Sequence, residues 1–137
     1  MKDLALPSVG VDIISVKRIS QNINRIKSNF KNRIFTENEI QYCESKQNSH
    51  YHFASRFAGK EAVCKALNIT WEKGINFKEI EILNNKNVPY VKLYGKIHQV
   101  ALDEKISYIK ISMSHERNYA IAFVMGVKEG WSSYYEL

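Results

Sequence analysis

The sequence predicts an α+β domain, and three observations carry that expectation. The stretch from Phe53 to Leu67 has helical periodicity and is apolar on nearly every side, the mark of a buried helix. Short runs with strand character, some alternating and some continuously apolar, stand on both sides of it. Their order is mixed, without the regular strand–helix alternation of a parallel sheet. A chain of 137 residues fits one domain, 1–137, and can bury a core of its own. No repeat, low-complexity segment or linker divides it.

Residues 8–16 read as a short buried strand that contains an acid, Asp12, within Val9-Gly10-Val11-Asp12-Ile13-Ile14. A helix over 16–29 follows, with Val16, Ile19, Ile23, Ile26 and Phe30 at three- and four-residue steps as one buried face. Thr36-Glu37-Asn38-Glu39 has the form of a capping box and opens a second helix that ends near Ser45. After a polar loop at 46–49, the apolar helix runs over about 50–67. Gly59 inside it costs roughly 1 kcal/mol against alanine, which points to close approach by another backbone, a ligand or a packed helix. Asn68 to Asn76 reads as a loop. Phe77 to Leu83 alternates apolar and charged residues as a half-buried strand does, and Asn84-Asn85-Lys86-Asn87 is a turn. Tyr90 to Tyr94 is the partner strand. Gly95 to Lys105 is a short helix, Tyr108 to Met113 a strand, and Ser114 to Asn118 a polar connection. Tyr119 to Val127 is a continuous apolar run and reads as a central strand. The tail, 128–137, carries Trp131, Tyr134 and Tyr135 and has no assignment.

Bulk properties exclude several classes. No apolar run approaches the roughly 20 residues that span a bilayer, and the N-terminal apolar segment is too short for a signal peptide. Cys43 and Cys64 form no CxxC pair, which favours reduced thiols and a cytosolic setting. The net charge of +6 favours anionic partners. Between Ile13 and Thr36 there are six basic residues and no acidic one: Lys17, Arg18, Arg25, Lys27, Lys31 and Arg33. Arg18 and Arg25, seven residues apart, project from similar helix faces. A solvated basic face and a docking surface for an acidic partner both fit this run.

The chemistry is concentrated in the apolar helix, which carries Arg56, Lys60, Glu61 and Lys65. Unpartnered buried charges cost several kcal/mol or more, so these residues pair among themselves or face a polar ligand. Glu61 and Lys65 have the spacing and order of a helical ion pair. Asp12 could cap a strand end. Asp12 and Glu61 are also the ligand type that magnesium takes, usually one or two carboxylates completed by water and phosphate, although 49 residues separate them. His115 stands between a strand and a polar turn, where it is either a surface residue or part of a cleft. His50 and His52 would point in different directions on a helix and do not read as a metal pair; His98 reads as exposed. No GxGxxG, Walker A, zinc spacing or GxSxG elbow occurs. Transfer between two bound substrates, assisted by a metal and cations, fits better than a nucleophile of the protein's own. Two rivals are a nucleic-acid-binding module and a coenzyme-binding scaffold without catalysis. The first leaves Asp12 and Glu61 unexplained; the second has no need of a metal pair.

Three blocks together, Gly10-Val11-Asp12-Ile13, Arg56-Phe57-Ala58-Gly59-Lys60-Glu61-Ala62-Val63-Cys64-Lys65-Ala66-Leu67 and Ser112-Met113-Ser114-His115-Glu116, resemble the holo-acyl-carrier-protein synthases, the short 4′-phosphopantetheinyl transferases. The resemblance extends over about Val9 to Val127. It implies an antiparallel sheet packed on a long central helix. It implies transfer of the 4′-phosphopantetheine arm of coenzyme A to a serine of apo acyl carrier protein, within fatty acid biosynthesis, leaving adenosine 3′,5′-bisphosphate. By the same resemblance Asp12 and Glu61 would hold Mg²⁺, and Glu61 would serve as base. Lys65 would neutralise phosphate charge, while Arg56 and His115 would contact coenzyme A phosphates with Lys60 in electrostatic support. Arg18 and Arg25 would dock the acidic helix of the carrier protein. The family further implies a cytoplasmic homotrimer with sites at subunit interfaces, and neither nucleic acid nor membrane as partner. This chain departs from the pattern at Gly59, at Gln47-Asn48-Ser49-His50-Tyr51-His52, at Asn87-Val88-Pro89, and at Asn68-Ile69-Thr70-Trp71-Glu72-Lys73-Gly74.

Overall fold

The computed structural model describes residues 6–25, 27–70 and 74–130. Its elements are β1 (Ser8–Ser15), α1 (Val16–Asn24), α2 (Phe30–Ile34), α3 (Glu37–Glu44), α4 (Ser49–Ala66), β2 (Ile80–Asn85), β3 (Val88–Leu93), α5 (Gly95–Asp103), β4 (Ile106–His115) and β5 (Tyr119–Lys128). A 3₁₀ turn, Phe77–Glu79, precedes β2. The fold is α+β. Three antiparallel strands form one sheet in the order β1-β5-β4, and β2 and β3 form a separate hairpin.

Helix α4 lies across one face of the three-stranded sheet. Alternation sets which side chains meet it: Gly10 and Ile14 of β1, Ala120, Ala122 and Val124 of β5, and Ile109 and Ile111 of β4 are buried. Small residues on the facing strands let the helix come close. At Gly10 a Cβ would collide with the Ala62 carbonyl oxygen and stand 2.9 Å from the Ala66 nitrogen. At Gly59 it would run into Ile82 and lie 3.1 Å from Ile111 Cδ1. The glycine inside α4 therefore serves packing against both sheets. The opposite sheet face is apolar and open, with Val9, Val11, Ile13, Tyr119, Ile121 and Phe123 between 41% and 61% exposed.

The capping box forms as read: Thr36 Oγ1 accepts from the Glu39 nitrogen at 3.2 Å and Glu39 Oε1 accepts from the Thr36 nitrogen at 2.9 Å. Other boundaries differ. The first helix stops at Asn24, and a separate short helix begins at Phe30. Between them the Ser28 hydroxyl donates to the Asn22 and Arg25 carbonyls, and Asn29 turns left-handed at φ 48°. Local side-chain bonding thus ends a helix that apolar periodicity alone would have continued. Phe77–Glu79 is a 3₁₀ turn rather than strand because Asn76 Oδ1 accepts from the Lys78 nitrogen at 3.1 Å. Glu81 is buried, against the alternation, and its carboxylate accepts from Thr36 Oγ1 at 2.5 Å and the Tyr94 hydroxyl at 3.0 Å. The β2–β3 turn is Lys86-Asn87, both with positive φ, the form that matches strand twist. Ile26, Trp71 and the aromatic tail (Trp131, Tyr134, Tyr135) lie outside the described residues.

Candidate functional site

The close approach at Gly10 sets the geometry of the site. Asp12 follows two residues later on the same face of β1, and Glu61 precedes Ala62 on α4. The strand and helix therefore bring the two acids together. Asp12 Oδ1 lies 3.1 Å from Lys65 Nζ, which also donates to the Val11 carbonyl at 2.9 Å. Lys65 thus pairs with the strand acid across the contact, while its helical spacing to Glu61 contributes only through charge. Asp12 Oδ2 is buried and receives no fixed donor; its neighbour is the Glu61 carboxyl, whose retained proton can bond the pair.

Glu61 is pushed up to about 8, first by burial, then by the Asp12 carboxyl beside it; Lys65 and Arg18 work in the opposite direction. Two carboxyls facing each other, with no cation on Asp12 Oδ2, form a site short of positive charge. That donor set fits Mg²⁺, which accepts one or two carboxylates and takes its remaining ligands from water and phosphate. No third acid, histidine or cysteine joins them among the described residues. A pocket of about 210 Å³ opens beside the pair, lined by Glu61, Cys64, Lys65, Ile69, Thr70 and Phe77. Burial raises the Cys64 thiol to about 12, so it stays protonated and is no nucleophile.

The other two charges of α4 have partners inside the fold. Lys60 is fully buried and donates to Glu39 Oε1 at 2.7 Å, to the Phe77 carbonyl at 2.9 Å and to the Ile80 carbonyl. All three ammonium donors are satisfied internally, so Lys60 is a strut between α4, α3 and β2 and reaches no ligand. Arg56 is 2% exposed. Its Nε donates to the Ile82 carbonyl at 3.2 Å, Nη2 to Asn84 Oδ1 at 2.5 Å, and the guanidinium lies 4.2 Å from the Tyr42 ring centroid. Burial and these two bonds engage Nε and Nη2 inside the fold.

His115, at the end of β4, is exposed and stacks on Tyr51 of α4 at 4.8 Å and 16°. Tyr51 and His52 were not singled out as site residues; 64 residues separate Tyr51 from His115, and no local spacing joins them. Tyr51 stands ten residues before Glu61 on α4, about 15 Å along the axis. Arg18 lies in α1, exposed and near enough to act on Glu61, while Arg25 is the residue that ends the helix. Their common helix face therefore does not extend beyond Asn24. No helix of the described residues is long and apolar enough to cross a membrane.

A family model for the 4′-phosphopantetheinyl transferase superfamily matches residues 8–124. Among curated relatives, a holo-[acyl-carrier-protein] synthase of Thermodesulfovibrio yellowstonii is 45% identical over 121 residues, 88% of this chain and 97% of that protein. One from Halothermothrix orenii is 40% identical over 119 residues, 86% and 94% of the two chains. Among solved structures, the Helicobacter pylori holo-[acyl-carrier-protein] synthase in complex with coenzyme A superimposes with a TM-score of 0.73 at 33% identity, covering 85% of this chain and 96% of that one.

Proposed function

The chain belongs to the 4′-phosphopantetheinyl transferase superfamily, and from that premise we propose that Asp12 and Glu61 hold a magnesium ion for the family's reaction. The reaction is that of a holo-acyl-carrier-protein synthase. The 4′-phosphopantetheine group of coenzyme A passes to a serine of apo acyl carrier protein, and adenosine 3′,5′-bisphosphate leaves.

The observation that carries the proposal is the pair itself: Asp12 Oδ2, buried with no cation or fixed donor on it, stands beside a Glu61 carboxyl whose proton is held to about 8. Mg²⁺ bound there would neutralise pyrophosphate charge and make the phosphorus a better electrophile. The chain's own groups supply the rest. Glu61, deprotonated, accepts the proton of the carrier serine hydroxyl. The serine oxygen forms its bond to the phosphorus that bears the pantetheine arm, and the bond from that phosphorus to the bridging oxygen breaks. Lys65, with its side chain 57% exposed, swings from Asp12 to the phosphate and balances the charge that builds on the leaving oxygen.

His115 is the proposed contact for the 3′-phosphate. That phosphate and the pyrophosphate sit on one ribose, closer together than the span from Tyr51 to Glu61. A coenzyme shared between neighbouring protomers resolves the mismatch, His115 coming from one and the carboxylates from the other. The apolar sheet face of Val9, Val11, Ile13, Tyr119, Ile121 and Phe123 supports such an assembly, and a cytoplasmic homotrimer is the proposed form. Arg18 and Arg25, both exposed, would receive the acidic helix of the carrier protein.

The test is Glu61→Gln. It should abolish transfer while circular dichroism and thermal unfolding remain close to those of the parent protein. Near-normal turnover would remove Glu61 from the chemistry.

A further inference from the structure

Strands β3 and β4 each have one hydrogen-bonded neighbour, β2 for the first and β5 for the second. A cavity of about 490 Å³ is walled by residues of these two strands and of α5. Its floor is apolar: Val91, Leu93, Ala101, Ile106 and Ile109, all buried or half-buried. Its lips are Leu102 and Tyr108, 53% and 56% exposed. A break in alternation puts Tyr108 there. The register of β4 on β5 shifts between Ile106 and Tyr108, and Ser107 and Tyr108 both face outward in succession. The Ser107 hydroxyl secures the shift by donating to the Val127 carbonyl at 3.2 Å. The reaction proposed above uses none of this face, which joins an apolar patch to strand edges that a second chain could pair with.

The chain itself arrives at the rim of this cavity. Glu129 is one of its lining residues, and the Glu129 nitrogen donates to the Lys105 carbonyl at 3.0 Å. Gly130 then turns the backbone at φ 81°. Beyond it the sequence continues as Trp131-Ser132-Ser133-Tyr134-Tyr135-Glu136-Leu137, past the residues 8–124 that match the family. At about 3.3–3.6 Å per residue, Trp131 stays within about 7 Å of Glu129, and Tyr135 reaches up to about 20 Å from it. The segment offers three aromatic rings and a leucine to an apolar floor, and Glu136 to a rim that carries Lys92 and Lys105. A short tether holds its end at a millimolar effective concentration, so a contact too weak to capture a free peptide is still filled.

We propose that the cavity between β3, α5 and β4 is the intramolecular docking site of residues 131–137, with the aromatic side chains seated between Leu102 and Tyr108 and Glu136 set against the basic rim. The tether selects this occupant over a second copy, because the chain is already fixed at Lys105 and needs no further encounter to reach the floor. Nothing in this docking depends on the coenzyme reading, and no nucleotide enters its test.

The experiment is tryptophan fluorescence of the full-length protein carrying Trp71→Phe, in which Trp131 is the sole tryptophan. Trp131 should emit to the blue of a water-exposed indole. Its quenching by acrylamide should be at least about twofold weaker than when Leu102→Glu and Tyr108→Ser are added, as millimolar tethering of a millimolar contact implies. Both lip residues are exposed, and circular dichroism checks that the changed protein keeps its fold. Glu136→Lys should also raise quenching. Emission and quenching of a water-exposed indole before the lips are changed would overturn the docking, and so would a protected Trp131 that ignores the lip changes. Oxidation of the protein carrying Leu102→Cys and Ser133→Cys separates the two occupants. Cys43 and Cys64 do not compete, since burial pushes both thiols up to about 12. A disulfide within one chain is expected, and a disulfide-linked dimer on a denaturing gel would overturn the intramolecular occupant in favour of a second copy.

Discussion

Binding of Mg²⁺ at pH 7 should release close to one proton. Glu61 is buried beside Asp12 and holds its proton up to about 8. At pH 7 such a group is about nine-tenths protonated, and at pH 9 about one-tenth. A carboxyl must give up its proton to ligate a metal. Titration calorimetry in buffers of different ionisation enthalpy counts the protons directly. The count should be about 0.9 at pH 7 and about 0.1 at pH 9, and Glu61→Gln should reduce it to zero at both. The stability of the metal-free protein follows the same linkage. The folded-state value is raised above the ordinary 4.5, so this group's contribution is full below that value and is lost as pH rises towards 8. Above that pH, added Mg²⁺ should restore stability. No proton release at pH 7, or equal release at pH 7 and 9, would refute the placement of the ion between these two carboxyls.

Two further outcomes follow from the same geometry. Lys60→Met should cost about 3–5 kcal/mol in chemical denaturation, because it leaves the Glu39 carboxylate buried without its cation; Lys60→Met with Glu39→Gln should recover part of that loss, and a neutral single variant would show that the strut contributes nothing. Arg18→Glu with Arg25→Glu should raise the carrier-protein KM at least tenfold while coenzyme A binding changes by less than about threefold, the pattern of a lost charge-complementary contact; equal losses for both substrates would count against docking.

What could be read from the chain depended on how far apart the interacting residues lie. The capping box at Thr36 and Glu39 is local, and it forms as read. The strands on either side of α4 follow from periodicity. The second role of Glu39, as the partner of Lys60, spans 21 residues and is invisible to periodicity. A charge in an apolar helix has two solutions, an internal partner or a ligand, and Arg56 and Lys60 take the first because β2 and the 3₁₀ turn place carbonyl oxygens against α4. The break between α1 and α2 was hidden because Ile23 and Phe30 both pack on the core despite the left-handed turn at Asn29. Asp12 and Glu61 were each conspicuous, yet only Gly10, which lets β1 rest on the Ala62 and Ala66 backbone, explains their meeting.

Mass spectrometry of an apo acyl carrier protein incubated with this protein and coenzyme A probes the account at its root. With Mg²⁺ the carrier should gain one phosphopantetheine on its serine. With chelator it should gain none, and restored Mg²⁺ should bring the product back. Full modification in chelator would contradict a metal held by Asp12 and Glu61.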